Sequence, residues 1–267
     1  MAFTRYKEDQ LPVIVFFSFF ALDLLVFFTI SNTWLLALYG ALTIIPKGLI
    51  CAWNHHHQHV PMFRNVFMNR LLEIVFFFQT AMATNTWTLH HVLGHHLNYL
   101  DQSKDESRWM RRDGTTMGVI EYTLATALTG YPRAIQVGMR HPKILRPMLA
   151  MTALCLVILS AMIYYNWVAA LFVFIIPMTG SYVITCLHTF FHHAGLDSDD
   201  HHEASYNIMH RWYNILTGNL GYHTAHHMKQ GLHWSKLPEY HEKSLEGKIP
   251  QELYRKPGSF LKYLPAD

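Results

Sequence analysis

Residues 11–30, LPVIVFFSFFALDLLVFFTI, and 34–53, WLLALYGALTIIPKGLICAW, are separated only by Ser31-Asn32-Thr33, and the second runs through Asn54 into His55-His56-His57-Gln58-His59. A helix needs about 20 apolar residues to cross the hydrocarbon core of a bilayer, and each run has that length. Two such runs on so short a joint read as a hairpin of membrane helices that ends in histidines. The form recurs later in the chain. Pro147 to Tyr165 and Trp167 to Leu187 are joined at Asn166, and His188-Thr189-Phe190-Phe191-His192-His193 follows.

Composition agrees with a membrane setting. Of the 267 residues 51% are hydrophobic, 14% aromatic and only 15% charged, against about 25% charged in an ordinary soluble domain. The Leu11 to Ile30 run has no small-residue cleavage site and reads as a retained span rather than a signal peptide. The net charge of +3 comes without a basic patch studded with aromatics, so nucleic-acid binding has no support. Cys51, Cys155 and Cys186 fall in the expected spans without paired spacing, which excludes a disulfide framework and an iron–sulfur motif. No repeat or low-complexity linker divides the chain, and residues 1–267 read as one domain.

Lysine and arginine orient the spans, because short cytoplasmic loops carry the excess positive charge. Of the 21, only Lys47 lies inside a span and none lies in either hairpin joint. The N-terminus, the central segment and the C-terminal segment are therefore expected on the cytoplasmic side, which brings every histidine cluster to that face. The run from Leu71 to Thr88 contains Glu73, Gln79, Thr80, Asn85 and Thr86, which makes it a poor span and a better interfacial helix. The run from Thr115 to Tyr131 reads the same way. The expected fold is an all-α integral membrane protein, four transmembrane helices in two hairpins under a cytoplasmic helical cap that carries the histidines.

Asp23 and Lys47 are the only charges within the spans. At about 1.5 Å rise per residue they lie roughly 12 and 20 Å below the first joint, so they are not expected to be level, and Lys47 is expected to reach toward the cytoplasmic surface. Pro46 and Pro177 are expected to kink their helices.

The 20 histidines carry the functional signal. Most fall in four clusters: His55 to His59, His90 to His96, His188 to His193 and His223 to His227. Residues three and four apart share a helix face, so His55 and His59, His91 with His95 and His96, His188 and His192, and His223 with His226 and His227 can each aim at one point. Ten imidazoles exceed the four ligands of a structural zinc or the three of a catalytic one. Divided between two metals they leave room for oxygen or substrate, although imidazole alone does not choose among zinc, copper, iron and nickel. His56, His57, His90 and His193 point elsewhere on their helices and read as supports. His201-His202-Glu203 lies in a polar loop and reads as solvated surface. Glu73, Asp101, Asp105, Asp197 and Asp200 are candidates to take the outer ring N–H of a ligating histidine, and Arg108 to pair with such an acid or with an anionic substrate head.

The boxes His55 to His59, His91-Val92-Leu93-Gly94-His95-His96 and His223-Thr224-Ala225-His226-His227, in this order around two hairpins, resemble those of the membrane-bound histidine-box di-iron enzymes, which include fatty acid desaturases and alkane hydroxylases. The second box with Asp105-Glu106-Ser107-Arg108 is similar to the hydroxylase version, whereas Asn219-Leu220-Gly221-Tyr222 before the last box and Gly231-Leu232-His233-Trp234 after it are similar to the desaturase branch. Relatives often place Asn or Gln where this chain has His188. The resemblance implies two iron ions held by His55, His59, His91, His95, His96, His188, His192, His223, His226 and His227, with O2 as co-substrate and attack on an unactivated C–H bond of a lipid or acyl chain. It also implies an external electron donor, a ferredoxin, rubredoxin or cytochrome with its reductase, since no haem-binding, ferredoxin-type or dinucleotide motif appears. Desaturation is the first expectation, with hydroxylation or oxidative decarboxylation second. A histidine-rich metal transporter or sensor would need ligands near the bilayer midplane, where the spans carry no histidine.

Overall fold

Asn32 and Asn166, the polar residues between the paired apolar runs, each start a helix. The Asn32 side chain accepts from the backbone N–H of Trp34 and Leu35 at 3.0 and 3.1 Å, and Asn166 accepts from Ala169 at 3.1 Å, the bonds that make asparagine a favoured N-cap. The structure is a computed structural model describing residues 3–257; residues 1–2 and 258–267, the two ends of the expected domain, lie outside the described residues. The main elements in order are α1 (Gln10–Thr29), α2 (Thr33–His59), α3 (Val66–Thr80), a π-helical segment (Thr88–His96), α4 (Val119–Met139), α5 (Pro142–Tyr165), α6 (Trp167–Ala170), a second π-helical segment (Leu171–Ile175), α7 (Ile176–His193), α8 (Arg211–Thr217), α9 (His223–Met228) and α10 (Leu237–Ser244). The described residues are helical without strands, as expected.

Among the described residues four helices are long and apolar enough to cross a membrane: Lys7–Thr29, Thr33–His59, Pro142–Tyr165 and Trp167–His193. They contain the four expected runs apart from Ile30. The second and fourth have 27 residues each, about 40 Å of helix against a hydrocarbon core of about 30 Å. Their excess length is where the first and third histidine clusters sit, so those clusters continue a span rather than occupying a loop.

The chain divides into two compact units, residues 1–87 with 141–184 and residues 88–140 with 185–267. In the first, α3 packs against α1 and α2, and α2 packs against the second π-helical segment. Phenylalanines fill the space between them: Phe174 lies 5.5–6.4 Å, ring centre to ring centre, from Phe20, Phe27 and Phe78, and Phe16 lies 5.2 Å from Phe76. A side chain at Gly40 would run into the backbone carbonyl of Phe172, so glycine is what lets α2 approach this closely. The Leu71 to Thr88 run, expected to be a poor span, is not among the four helices long and apolar enough to cross. With 15 residues α3 is too short to span, and it is largely buried, with its polar groups used inside the unit: Gln79 donates to the carbonyl of Phe16 at 3.1 Å, and Thr80 accepts from Asn54 at 3.2 Å.

Asp23 and Lys47, expected at different depths, form an ion pair at 3.0 Å with both side chains fully buried. Side chains on a helix tilt toward its N-terminus. Lys47 on α2 therefore leans toward the Asn32 joint, and Asp23 on α1, which runs toward that joint, leans away from it; these leanings and the long lysine stem close the gap. Tyr39 adds a hydrogen bond to the same carboxylate oxygen at 2.7 Å. Lys47 also donates to the carbonyl of Val173 at 2.9 Å. That carbonyl lies four residues before Pro177, which has no N–H to return to it, so the lysine supplies a donor that the proline withholds.

In the second unit the Thr88–His96 segment packs on α4. Gly94 admits the Glu106 side chain, which a Cβ there would meet at 2.6 Å. Gly218 and Asn219 turn the chain after α8 with positive φ. The six-residue α9 is held by Asn207, whose side chain accepts from Thr224 N–H at 3.1 Å and donates to its hydroxyl at 2.8 Å. Beneath it Tyr206, Ala225, Leu237, Leu245, Ile249 and Leu253 form an apolar core.

Removing one partner of a buried ion pair leaves an uncompensated charge, at a cost of about 3–5 kcal/mol. Lys47→Met is thus expected to lower the thermal unfolding midpoint sharply in detergent, and the added substitution Asp23→Leu to recover most of the loss. Equal losses in the single and double variants would show that the pair is not what the bundle depends on.

Candidate metal centre

The Thr88–His96 segment, the end of α7 and the short α9 bring seven histidines of the second unit into two groups. His96 Nε2 lies 2.9 Å from His91 Nε2 and 3.0 Å from His226 Nε2. His193 Nε2 lies 3.2 Å from His95 Nε2 and 3.0 Å from His223 Nε2, and His223 and His227 are 3.2 Å apart through the same atoms. His91, His96 and His226, and separately His95, His193 and His227, have donor nitrogens within 4.8 Å of one another. Each adjacent pair divides between the groups: His96 and His226 serve the first, His95 and His227 the second. Neighbours on a helix point about 100° apart, so one doublet can address two positions.

Hydrogen bonds on the outer nitrogens decide what faces inward. His95 Nδ1 lies 2.8 Å from the Asp105 carboxylate, and His193 Nδ1 lies 2.9 Å from the carbonyl oxygen of Ala204. A carbonyl only accepts, and an ionised carboxylate does the same, so both Nδ1 atoms carry their protons. The neutral rings then present bare Nε2 lone pairs to each other at 3.2 Å. Such an approach is repulsive unless a cation lies between the nitrogens or one ring carries a buried charge, which is costly. The separations also suit a metal: with bonds of about 2.1 Å, ligands at right angles sit about 3.0 Å apart. An all-imidazole donor set of this kind fits a borderline divalent ion.

The first unit has a histidine pair of its own at the end of α2. His55 and His59 face each other with Nε2 atoms 3.1 Å apart, and the edge of Trp87 lies against His55 at 5.5 Å. A polar clamp holds this last stretch of helix. Gln58 donates to Asn54 and to the Ala83 carbonyl and accepts from Trp87 N–H, and Asn54 donates to Thr80 and to the Met82 carbonyl. His57 is occupied at both nitrogens, with Nδ1 accepting from Met62 N–H and Nε2 at 3.3 Å from Glu73. Burial alone would raise the Glu73 carboxyl, but His57, Thr84 and Arg70 together hold it below its ordinary value.

Two expected ligands stand apart from these groups. His192 gives its Nε2 to the Tyr213 hydroxyl at 3.0 Å and stacks on His223 at 4.0 Å, and His193, read as a support, takes the inward position. The four-residue spacing from His188 to His192 does define a helix face, but it is the face one position on that meets His95 and His223. His188 belongs to neither group. Among the acids, Asp105 meets His95, Glu73 meets His57, and Asp101 and Asp200 bond Lys104 and His202. His201, read as solvated surface, bonds through Nδ1 to the hydroxyl of Tyr99, whose ring lies 4.3 Å from that of His227. The Ala204 carbonyl, Tyr99, Tyr213 and Asn207 carried no motif that would have singled them out; the doublet at His192-His193, matched to those at His95-His96 and His226-His227, did carry a signal for His193.

The fatty acid desaturase family matches residues 32–256, and this chain belongs to that family. No curated protein matches the chain. Nor does any solved structure. Membership brings a desaturase- or hydroxylase-type function in a membrane.

His193→Ala is expected to lower the metal-to-protein ratio, measured by elemental analysis, whereas His192→Phe keeps the stack on His223 and leaves the ratio unchanged. The reverse result would return the ligand role to His192. A second expectation concerns acid. Burial first, then the neighbouring histidines, holds His223 and His227 well below the ordinary histidine range, and burial with Arg133 brings His90 down to about 4. In the unfolded chain these rings take up protons near pH 6.5, while in the folded metal-free protein they stay neutral. Stability of the metal-free protein is therefore complete above about pH 6.5 and declines as pH falls from there toward about 4. A thermal unfolding midpoint that stays level between those limits would contradict this.

Proposed function

We propose that this chain is an oxygen-dependent di-iron desaturase of fatty-acyl or lipid chains. The observation that carries the reading is the pair of histidine groups with Nε2 atoms turned toward one another, those of His95 and His193 bare, in a chain that belongs to the fatty acid desaturase family. The proposed ligands are His91, His96 and His226 in one group and His95, His193, His223 and His227 in the other; His55 and His59 keep the role that the first box gives them. Iron is proposed from the resemblance of the boxes.

When bound, the metal pair supplies the redox chemistry that breaks an unactivated C–H bond with O2. The protein's own groups fix where that chemistry happens. Asp105 and the Ala204 carbonyl hold the protons of His95 and His193 on the outer nitrogens, which keeps both rings neutral, correctly turned and more basic. Tyr213 anchors His192 beneath His223. The seven histidines are buried, which limits water at the reacting carbon. Desaturation balances as one O2, two protons and two electrons taken up with two hydrogens from the chain, giving an alkene and two waters. The two electrons require an external donor, proposed as a ferredoxin, rubredoxin or cytochrome with its reductase. The uneven distribution of lysine and arginine supports a cytoplasmic site with both termini on that side.

Hydroxylation is the second reading, favoured by the likeness of the second box and Asp105-Glu106-Ser107-Arg108 to alkane hydroxylases. Co-expression with a reductase and an electron carrier, with His226→Ala as the blank, followed by mass spectrometry of fatty acids and neutral lipids, separates the two. The expected product is lighter than its precursor by two hydrogens and absent from the blank. A product carrying one added oxygen would make the chain a hydroxylase. Metal flux into liposomes that disappears with His226→Ala, without any lipid product, would overturn the enzyme reading in favour of a transporter.

A further inference from the structure

Helix α4 turns its faces the wrong way for water. The side directed into its own unit buries mostly small and polar residues, Thr123, Thr126, Gly130, Ala134 and Gly138, beside Tyr122 and Val137. The side directed outward is large and apolar: Ile120 is 73% exposed, Leu124 53%, Leu128 76%, Ile135 37% and Met139 67%. At about 100° per residue these five lie within an arc of about 100°, so they form one continuous stripe along the helix rather than scattered contacts. Contiguous exposed apolar surface of this kind marks a membrane or protein interaction site.

Chain connection and charge favour lipid. Arg140 and His141 are all that separate Met139 from α5, which begins at Pro142 and is long and apolar enough to cross a membrane. Three residues of chain reach about 10 Å at most, so the end of α4 is tied to the place where the chain enters the bilayer. Arg140, Lys143 and Arg146 are all exposed around that joint and suit anionic headgroups. The one acid on α4, Glu121, is engaged by Arg111, which leaves no uncompensated negative charge beside the stripe. We propose that α4 lies in the membrane surface with the Ile120–Leu124–Leu128–Ile135–Met139 stripe in the acyl region and Arg140 among the headgroups.

This placement gives the lipid surface a structural task. The opposite face of α4 packs on the Thr88–His96 segment, and Arg133 of α4 donates to the carbonyl of Glu106. The bilayer would thus support the helix that backs His91, His95 and His96. The inference rests on the exposure pattern and the α5 span, and it stands or falls independently of the reaction catalysed.

Site-directed nitroxide labels test it on the full chain. Cys51, Cys155 and Cys186 are buried, so labels attach to single cysteines placed at Leu124, Leu128 and Ile135, with exposed Arg112 as the aqueous control. In vesicles of mixed phosphatidylcholine and phosphatidylglycerol, the three stripe labels are expected to collide with oxygen several-fold more, relative to a water-soluble nickel chelate, than the label at Arg112. A stripe as open to the nickel chelate as Arg112 would place α4 in water and overturn the proposal. Labels shielded from both reagents would also overturn it, since a protein surface rather than lipid would then cover the stripe.

Discussion

The structure depends on imidazole lone pairs that have been forced to face one another. Where the outer nitrogen of a histidine must donate, as His193 must to the Ala204 carbonyl and His95 must to Asp105, the inner nitrogen has nothing left but a lone pair. Placing such nitrogens about 3 Å apart in a buried site is unfavourable for the protein alone and favourable with a cation among them. Much of the second unit contributes to holding this arrangement: Asn207 on the first turn of α9, Gly94 admitting Glu106, and the apolar core under Ala225. The six-residue α9 is far below the length at which a helix is stable by itself; its packing and side-chain bonds hold it in place.

The first unit meets a different constraint, that of fully buried charge. Lys47 and Asp23 neutralise each other, Tyr39 adds a donor, and the Val173 carbonyl left without an N–H by Pro177 takes a further bond from the lysine. One cluster thus answers both the buried charges and the broken helix ladder of the fourth span. The π-helical segment Leu171–Ile175 just before Pro177 belongs to the same local adjustment, since such bulges commonly mark irregular helix.

The four spans and the histidine boxes were legible because they follow strong, local rules. Apolar length marks a span, and three- and four-residue spacing marks a helix face. What escaped depended on packing. That His193 rather than His192 meets the Nε2 atoms of His95 and His223 rests on a rotation of one residue in α7, and a spacing rule alone cannot say which face looks inward. Depth counted along the backbones does not reveal the Asp23–Lys47 pair, because the two side chains lean toward each other. The polar residues Gln79 and Thr80 of α3 are satisfied by the carbonyl of Phe16 and the Asn54 side chain, partners distant in sequence that a hydropathy pattern does not show. Tyr99, Tyr213 and Asn207 act through contacts distant in sequence.

The division of the His95-His96 and His226-His227 doublets between two groups leads to one central claim, that the chain holds two metal ions in an imidazole environment. The most direct measurement is metal quantification combined with X-ray absorption at the iron edge on protein purified from iron-supplemented cells. The account predicts two irons per chain, imidazole scattering around the metal, and an iron–iron distance in the spectrum. A single metal per chain, or a metal site with sulfur ligands, would contradict it.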